Sequence, residues 1–205
     1  NLFMNIAEQM GLRLQNTAYS VNIKERLDFS CALFDAEGQL IANAPHMPVH
    51  LGSMSESIKT VIARNPDMRP GDVYVLNDPY HGGTHLPDVT VVTPVWIQAP
   101  TLPSVAAPGV FRTGGPGSET PAGDARPSFY VASRGHHEDI GGLTPGSMTP
   151  RATHIDEEGV YIDNFKIVDR GRFCEQELVG ILTGARWPVR NVVQNVNDLK
   201  AQIAA

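Results

Sequence analysis

Two short segments carry the residues best able to do chemistry. "NDPYHGGTHLPDV" spans 77–89 and "RGHHEDIGG" spans 134–142. A surface turn needs glycine, proline and aspartate but has no use for imidazoles. Each segment holds a histidine followed three residues later by an aspartate: His85-Leu86-Pro87-Asp88 in the first, His136-His137-Glu138-Asp139 in the second. Together the two units can offer two imidazoles and two carboxylates to one divalent cation. Such a mixed nitrogen and oxygen set suits zinc, manganese or iron better than calcium or magnesium, which prefer oxygen. His81 and Asp78 lie close enough to be further ligands, or partners that hold an imidazole in one tautomer. Asp139 or Asp88, if not both ligands, can serve as general base.

The glycines at 82, 83, 135, 141 and 142 are expected to let the backbone turn sharply and approach a ligand closely. Pro87 stiffens the first unit by pushing Leu86 towards extended geometry. His46, His50 and His154, taken singly, read as exposed or backbone-bonded histidines, and His137 is as readily a neighbour as a ligand.

A charged string, "NIKERLDFS" (22–30), leaves two readings open. Lys24, Glu25, Arg26 and Asp28 can form a solvated face of paired charges, each pair worth about 0–1 kcal/mol. Alternatively Arg26 or Lys24 faces the site and holds a substrate carboxylate or phosphate. Arg134, heading the second segment, is a further candidate for substrate binding.

The elements that must position these residues can be read from apolar spacing. Leu2, Phe3, Ile6, Met10 and Leu14 recur at helical intervals, giving an amphipathic helix with one apolar stripe. "FSCALFDAEGQLIANA" reads as a β-hairpin turning at Ala36-Glu37-Gly38. "SMSESIKTVIARN" reads as a helix with Ser53 as N-cap and Glu56 closing a capping box. Pro70-Gly71-Asp72 is a turn into the strand "VYVLN", and "VTVVTPVWI" is a β-branched strand. Residues 98–128, dense in proline and glycine, read as a flexible surface insertion. "FYVASRG" resumes the sheet and runs into His136, and "GVYIDNFKIVD" supplies further strand. "EQELVGILTGA" is a helix ending near Gly184, and "VNDLKAQIAA" is another, capped by Asn197. Helices and strands do not alternate as in βαβ units. The expected class is α+β: a mixed or antiparallel sheet, flanking helices and glycine-rich site loops.

Composition narrows the function. The 205 residues are 41% apolar and 19% charged, enough to bury a core, with a net charge of −6. No basic, aromatic-interleaved patch suggests nucleic acid, and no run approaches the ~20 apolar residues of a membrane span. Cys31 and Cys174 form no CxxC pair, and a reduced cytoplasmic compartment is expected. The sequence opens on "NLFMNIAEQMG" and closes on "NDLKAQIAA", both in helical rhythm, so a fragment of a longer polypeptide is expected. No G-x-x-x-x-G-K-[ST] loop and no G-x-S-x-G elbow occurs.

Four strings, "NIKERLDFSCALFDAEGQLIANAPHMPVHLGSM", "GGTHLPDVTVVTPV", "FYVASRGHHEDIGGLTPGSM" and "DLKAQIAA", closely resemble the hydantoinase B/5-oxoprolinase family. "ASRGHHEDIGGLTPGSM" looks most like the 5-oxoprolinase branch. The resemblance covers nearly all of the chain except 98–128 and implies that 1–205 is the N-terminal portion of a hydantoinase B-like domain. It implies an ATP-dependent amidohydrolase that opens a cyclic amide: 5-oxoproline, water and ATP give glutamate, ADP and phosphate, or a hydantoin ring is opened. ATP would be handled by a hydantoinase A-like subunit or domain, in an oligomeric assembly. Related acetone and acetophenone carboxylases use a homologous subunit with a divalent metal, and the units at His85/Asp88 and His136/Asp139 match the places where the family would hold it. Two alternatives remain: a carboxylase subunit of that type, and a non-catalytic scaffold with a structural metal.

Overall fold

Residues 2–97 and 126–205 are described by the computed structural model. All but the last three residues of the expected 98–128 insertion lie outside them.

The β-branched run 88–95 becomes the centre of an antiparallel sheet, because both of its faces have apolar partners to cover. Strands are β1 (Phe29–Asp35), β2 (Leu40–Asn43), β3 (Val73–Leu76), β4 (Asp88–Val95), β5 (Phe129–His136), β6 (Phe165–Asp169) and β7 (Arg172–Phe173). They lie in the order β2-β1-β5-β4-β3-β6-β7, every pairing antiparallel. Helices are α1 (Leu2–Thr17), α2 (Val21–Lys24), α3 (Pro48–Arg64), α4 (Glu175–Gly184) and α5 (Val192–Ala204). The class is α+β, as the absence of βαβ alternation indicates.

Strand alternation sorts the three central strands into two faces. On one face Ala32, Phe34, Tyr130, Ala132 and Val92 pack under Met54, Ile58 and Val61 of α3. On the other, Val89 and Val91 meet Leu178 and Leu182 of α4 and Val196 and Leu199 of α5. Phe29, Cys31 and Leu33 on that same side meet Ala7, Met10 and Leu14 of α1. The molecule is therefore layered: α3, the sheet, then α1, α4 and α5.

Several local expectations change in the folded chain. The stripe of α1 is buried at Ala7, Met10, Gly11 and Leu14, while Leu2 is 72% exposed and Ile6 is also exposed. Small residues win because α1 approaches the sheet closely: a Cβ at Gly11 would overlap the His46 ring. Helix α3 starts at Pro48, with Met47 as N-cap, so Ser53 lies inside the helix and caps nothing. Asn191, not Asn197, caps α5, accepting from Gln194 N. Strand begins only at Phe165 in "GVYIDNFKIVD", and the charged string includes one helical turn, α2. Gly38 turns the β1–β2 hairpin at φ +79°, as its position suggests.

Candidate functional site

The same alternation that buries the core delivers the site. Reading outward along one face, β5 presents Tyr130, Ala132, Arg134 and His136, β4 presents Val92, Thr90 and Asp88, and β1 presents Phe34, Ala32 and Ser30. Apolar residues under α3 give way to a polar tier and then to ionisable groups at the strand ends. Asp88 pairs directly with His136 across the β4–β5 ladder. Asp28 stands one step beyond the Phe29–Gly135 pair, and its carbonyl accepts from His136 N at 2.9 Å. His136 is thus flanked by Asp88 of β4 and by Asp28, the residue just before β1.

His85, from the loop before β4, completes the group. Ligand atoms of His85, Asp88 and His136 lie within 4.8 Å of one another. His136 Nδ1 is 2.8 Å from Asp88 Oδ1, and the two rings meet edge to face at 5.1 Å. Thr84 donates to Asp88 Oδ2. His85 Nδ1 sits 3.1 Å from that same oxygen, but it is buried and makes no hydrogen bond. An imidazole nitrogen shut away from water, beside a carboxylate oxygen yet without a hydrogen bond, suits a cation that both atoms can ligate. The donor set of two imidazoles and a carboxylate fits zinc, manganese or iron.

His50, in the first turn of α3, closes the inner side. Its Nε2 is 3.6 Å from Asp28 Oδ1 and 3.7 Å from Asp88 Oδ2. Its Nδ1 is 3.4 Å from Ser30 Oγ, which itself donates to Met47 O. Burial lowers the His50 pKa, helped by the Arg134 charge and only partly offset by Asp88 and Asp28. For His136 burial acts in the same direction, but the hydrogen bond and charge of Asp88, with the charge of Asp28, outweigh it and raise the pKa. Burial would raise the Asp88 pKa, yet His136, Thr84, His85 and His50 hold it below the ordinary carboxylate value.

The other sequence candidates lie elsewhere. Asp139 does not join His136: its carboxylate accepts from Gly141 N and Gly146 N, each at 2.9 Å, and from Arg190 Nη1 at 2.8 Å. It closes a loop, because the residues after it turn away from the sheet at Gly141 and Gly142. His81 and Asp78 bond to each other. Asp78 also accepts from Tyr161 OH at 2.5 Å and Tyr80 N at 2.8 Å, while Arg64 Nη2 is 3.0 Å from His81 Nε2. That pair is a self-contained cluster. Arg134 is wholly buried and spends its donors inside the protein. Arg26 and Lys24 are exposed. Arg26 bonds Asn22 at 3.2 Å, and its charge is felt at His136.

The glycines serve close packing of protein on protein. A Cβ at Gly82 would overlap Ser57 N of α3, one at Gly83 would lie 2.5 Å from Asp78 O, and one at Gly135 would press on Ile23. His137 faces away from the site, its Nδ1 2.7 Å from Asn195 Oδ1 and its Nε2 3.0 Å from Gln202 Oε1. His46 accepts from Cys31 N, and His154 caps the turn at Ile155–Glu157. A 720 Å³ cavity lined by Leu2, Ile6, Met10, Arg13 and Ala205 runs along α1 and touches none of the site residues.

Asp28 and His50 are the residues that sequence reasoning passed over. Each belongs to a segment remote in sequence from both histidine loops. The strand order β1-β5-β4 alone brings Asp28 in, and the packing of α3 brings His50.

The chain belongs to the hydantoinase B/oxoprolinase family, whose profile matches residues 1–205. Among its relatives, 5-oxoprolinase 1 of Arabidopsis thaliana is 45% identical over 212 residues, a match spanning 99% of this chain and 15% of that protein. The ATP-dependent caprolactamase of Pseudomonas jessenii has a similar fold, with a TM-score of 0.74 at 28% identity over 98% of this chain and 30% of that one. The fold is shared as well with an acetone carboxylase, at a TM-score of 0.74 and 18% identity over 98% of this chain and 23% of the other. Among the described residues, no helix is long and apolar enough to cross a membrane.

Proposed function

We propose that this chain forms the divalent-cation end of an ATP-dependent cyclic-amide hydrolase of the 5-oxoprolinase type. His85, Asp88 and His136 hold the ion, and Asp28 places a second carboxylate beside them. The observation that carries this reading is the convergence of those three side chains around an imidazole nitrogen that is buried without a hydrogen-bond partner. The names of the relatives, a 5-oxoprolinase and an ATP-dependent caprolactamase, favour a lactam as the substrate class.

An amide is a weak electrophile, so ring opening needs an activated carbonyl and a competent nucleophile. ATP, bound by a hydantoinase A-like subunit or domain, activates the carbonyl oxygen. A bound divalent cation supplies Lewis acidity and lowers the pKa of water at the site. Asp28, partly exposed and next to His50, takes the proton of the attacking water, the role that the sequence assigns to Asp139 or Asp88. Arg26, exposed and near enough for its charge to act on His136, holds the substrate carboxylate. The chain spans 15% of the Arabidopsis relative, and this portion acts together with the remainder of such a protein in an oligomer.

Elemental analysis of the purified chain and of His136→Ala tests the reading. The wild type should retain about one equivalent of zinc, manganese or iron through desalting, as a three-ligand site with an open position does. His136→Ala should lose it. Full metal content in that variant sinks the assignment.

A further inference from the structure

We infer that Arg134 is a positioning residue that holds three separate segments of the cation site in register and makes no contact with substrate. The inference rests on the cation-site reading above. Arg134 lies two residues before His136 on β5, so it occupies the same face one tier deeper, and it is the largest fully buried side chain of the described residues.

A guanidinium has five N–H donors. All five are engaged. Nε donates to Thr90 Oγ1 at 2.8 Å. Nη1 donates to Ser53 Oγ at 2.6 Å and to His50 O at 3.2 Å. Nη2 donates to Gly82 O at 2.7 Å and to Ser57 Oγ at 2.9 Å. No donor remains for a ligand, which is why a role in holding substrate does not fit.

The five acceptors belong to three different parts of the site. Thr90 is the next residue after Asp88 on the same face of β4. Gly82 lies three residues ahead of His85 in its loop. His50 borders both aspartates, and Ser53 and Ser57 follow it along one face of α3. The fork therefore ties β4, the His85 loop and the start of α3 to β5, the strand that carries His136. Two serines of "SMSES" are its receptors: Ser53, which resembles a helix cap in sequence, and Ser57. All five acceptors are neutral, so the guanidinium remains a fixed positive charge behind Asp88. Burial draws its pKa down to about 10, with Asp88 opposing, which leaves it charged at neutral pH. Lysine would keep that charge but has no planar fork to join three segments.

Mn²⁺ titration followed by electron paramagnetic resonance, together with imidazole ¹⁵N spectra of the metal-free protein, tests this on the 205-residue chain. Arg134→Lys and the milder Ser53→Ala/Ser57→Ala pair should each bind Mn²⁺ roughly 10–100-fold more weakly than wild type, as loss of supporting contacts around a metal site does. Both should shift the ring resonances of His50, His85 and His136 while leaving His154 unchanged. Circular dichroism establishes that each variant is folded; if Arg134→Lys is not, the serine pair decides. Wild-type Mn²⁺ affinity and unshifted rings in a folded variant overturn the inference. A wild type that takes no Mn²⁺, Zn²⁺ or Fe²⁺ removes the cation-site reading instead, and the ring resonances of the metal-free variants then decide the role of Arg134 separately.

Discussion

Asp88 Oδ1 and His136 Nδ1 meet at 2.8 Å across the β4–β5 ladder, in the interior of the chain rather than in an open loop. Asp88 is 1% exposed and His136 18%, whereas His85, the third member, is 36% exposed and makes no hydrogen bond through Nδ1. The two histidines are consequently held very differently. His136 is fixed by a charged partner and by strand pairing, while His85 is held by its loop.

That difference separates two effects of mutation. His85→Ala should strip the bound metal yet change stability by no more than about 0.5–1 kcal/mol, since it removes a partly exposed ring whose Nδ1 touches Asp88 without a hydrogen bond. Asp88→Asn should strip the metal and also cost roughly 1–3 kcal/mol, because it discharges a buried carboxylate that serves His136 and Thr84. Metal content by elemental analysis, paired with urea unfolding, checks both. A large stability loss in His85→Ala would contradict the geometry.

Gly82 sits at φ +92° with Ser57 N where a Cβ would go. Left-handed strain costs about 1–3 kcal/mol, and forcing helix α3 away adds to it. Gly82→Ala should therefore destabilise by more than about 2 kcal/mol and weaken metal binding, since the loop it anchors leads to His85. Gly180, on the exposed side of α4 with open space around it, is the control. Gly180→Ala should stabilise by up to about 1 kcal/mol through helix propensity. Equal denaturation midpoints for the two variants would dispose of the packing argument.

How much of this was legible in the sequence follows from what is local and what is not. The β-branched run that starts at Asp88, the strand entering His136 and the turn at Gly38 depend on neighbours in the chain, and the folded protein has them. The His85-x-x-Asp88 unit is also local, a tight loop entering a strand. The look-alike unit His136-x-x-Asp139 is not equivalent, because β5 ends at His136 and the following loop carries Asp139 away. Asp28 and His50 enter only through the strand order and the seating of α3, which no spacing in the sequence reveals. Ser53 imitates a helix cap for a similar reason: its partner, Arg134, is some 80 residues away in the chain.

Asp72, fully buried in the turn just before β3, gives a pH dependence with a definite sign. Burial alone would raise its pKa, but Lys166 Nζ at 2.9 Å and the backbone N–H groups of Arg170 and Arg69 overcome that and lower it. A carboxyl whose folded pKa is depressed contributes stability that is fully present above its unfolded pKa of ~3.9 and fades as pH falls through the folded value. The wild type should thus lose stability below about pH 4 more steeply than Asp72→Asn. At neutral pH that variant should already be weaker by roughly 1–3 kcal/mol. Parallel acid limbs in urea-unfolding midpoints measured against pH would remove Asp72 from this role.

Asp139 decides whether the site contains one histidine–aspartate unit or two. Its carboxylate is saturated by Gly141 N, Gly146 N and Arg190, and these same contacts hold its pKa low against the opposing effect of burial. The loop it closes is in turn fastened to α5, since Asn195 Nδ2 donates to Asp139 O at 2.9 Å. Asp139→Asn keeps the shape but weakens charge-assisted bonds, so it should lower stability by about 1–2 kcal/mol. Arg190→Ala should act in the same direction, and the double variant should fall short of the sum, because the two residues share one interaction. Metal stoichiometry should stay at the wild-type level in all three. If Asp139→Asn loses its metal as Asp88→Asn does, the loop must swing in when the cation binds, and a ligand set confined to His85, Asp88 and His136 is wrong.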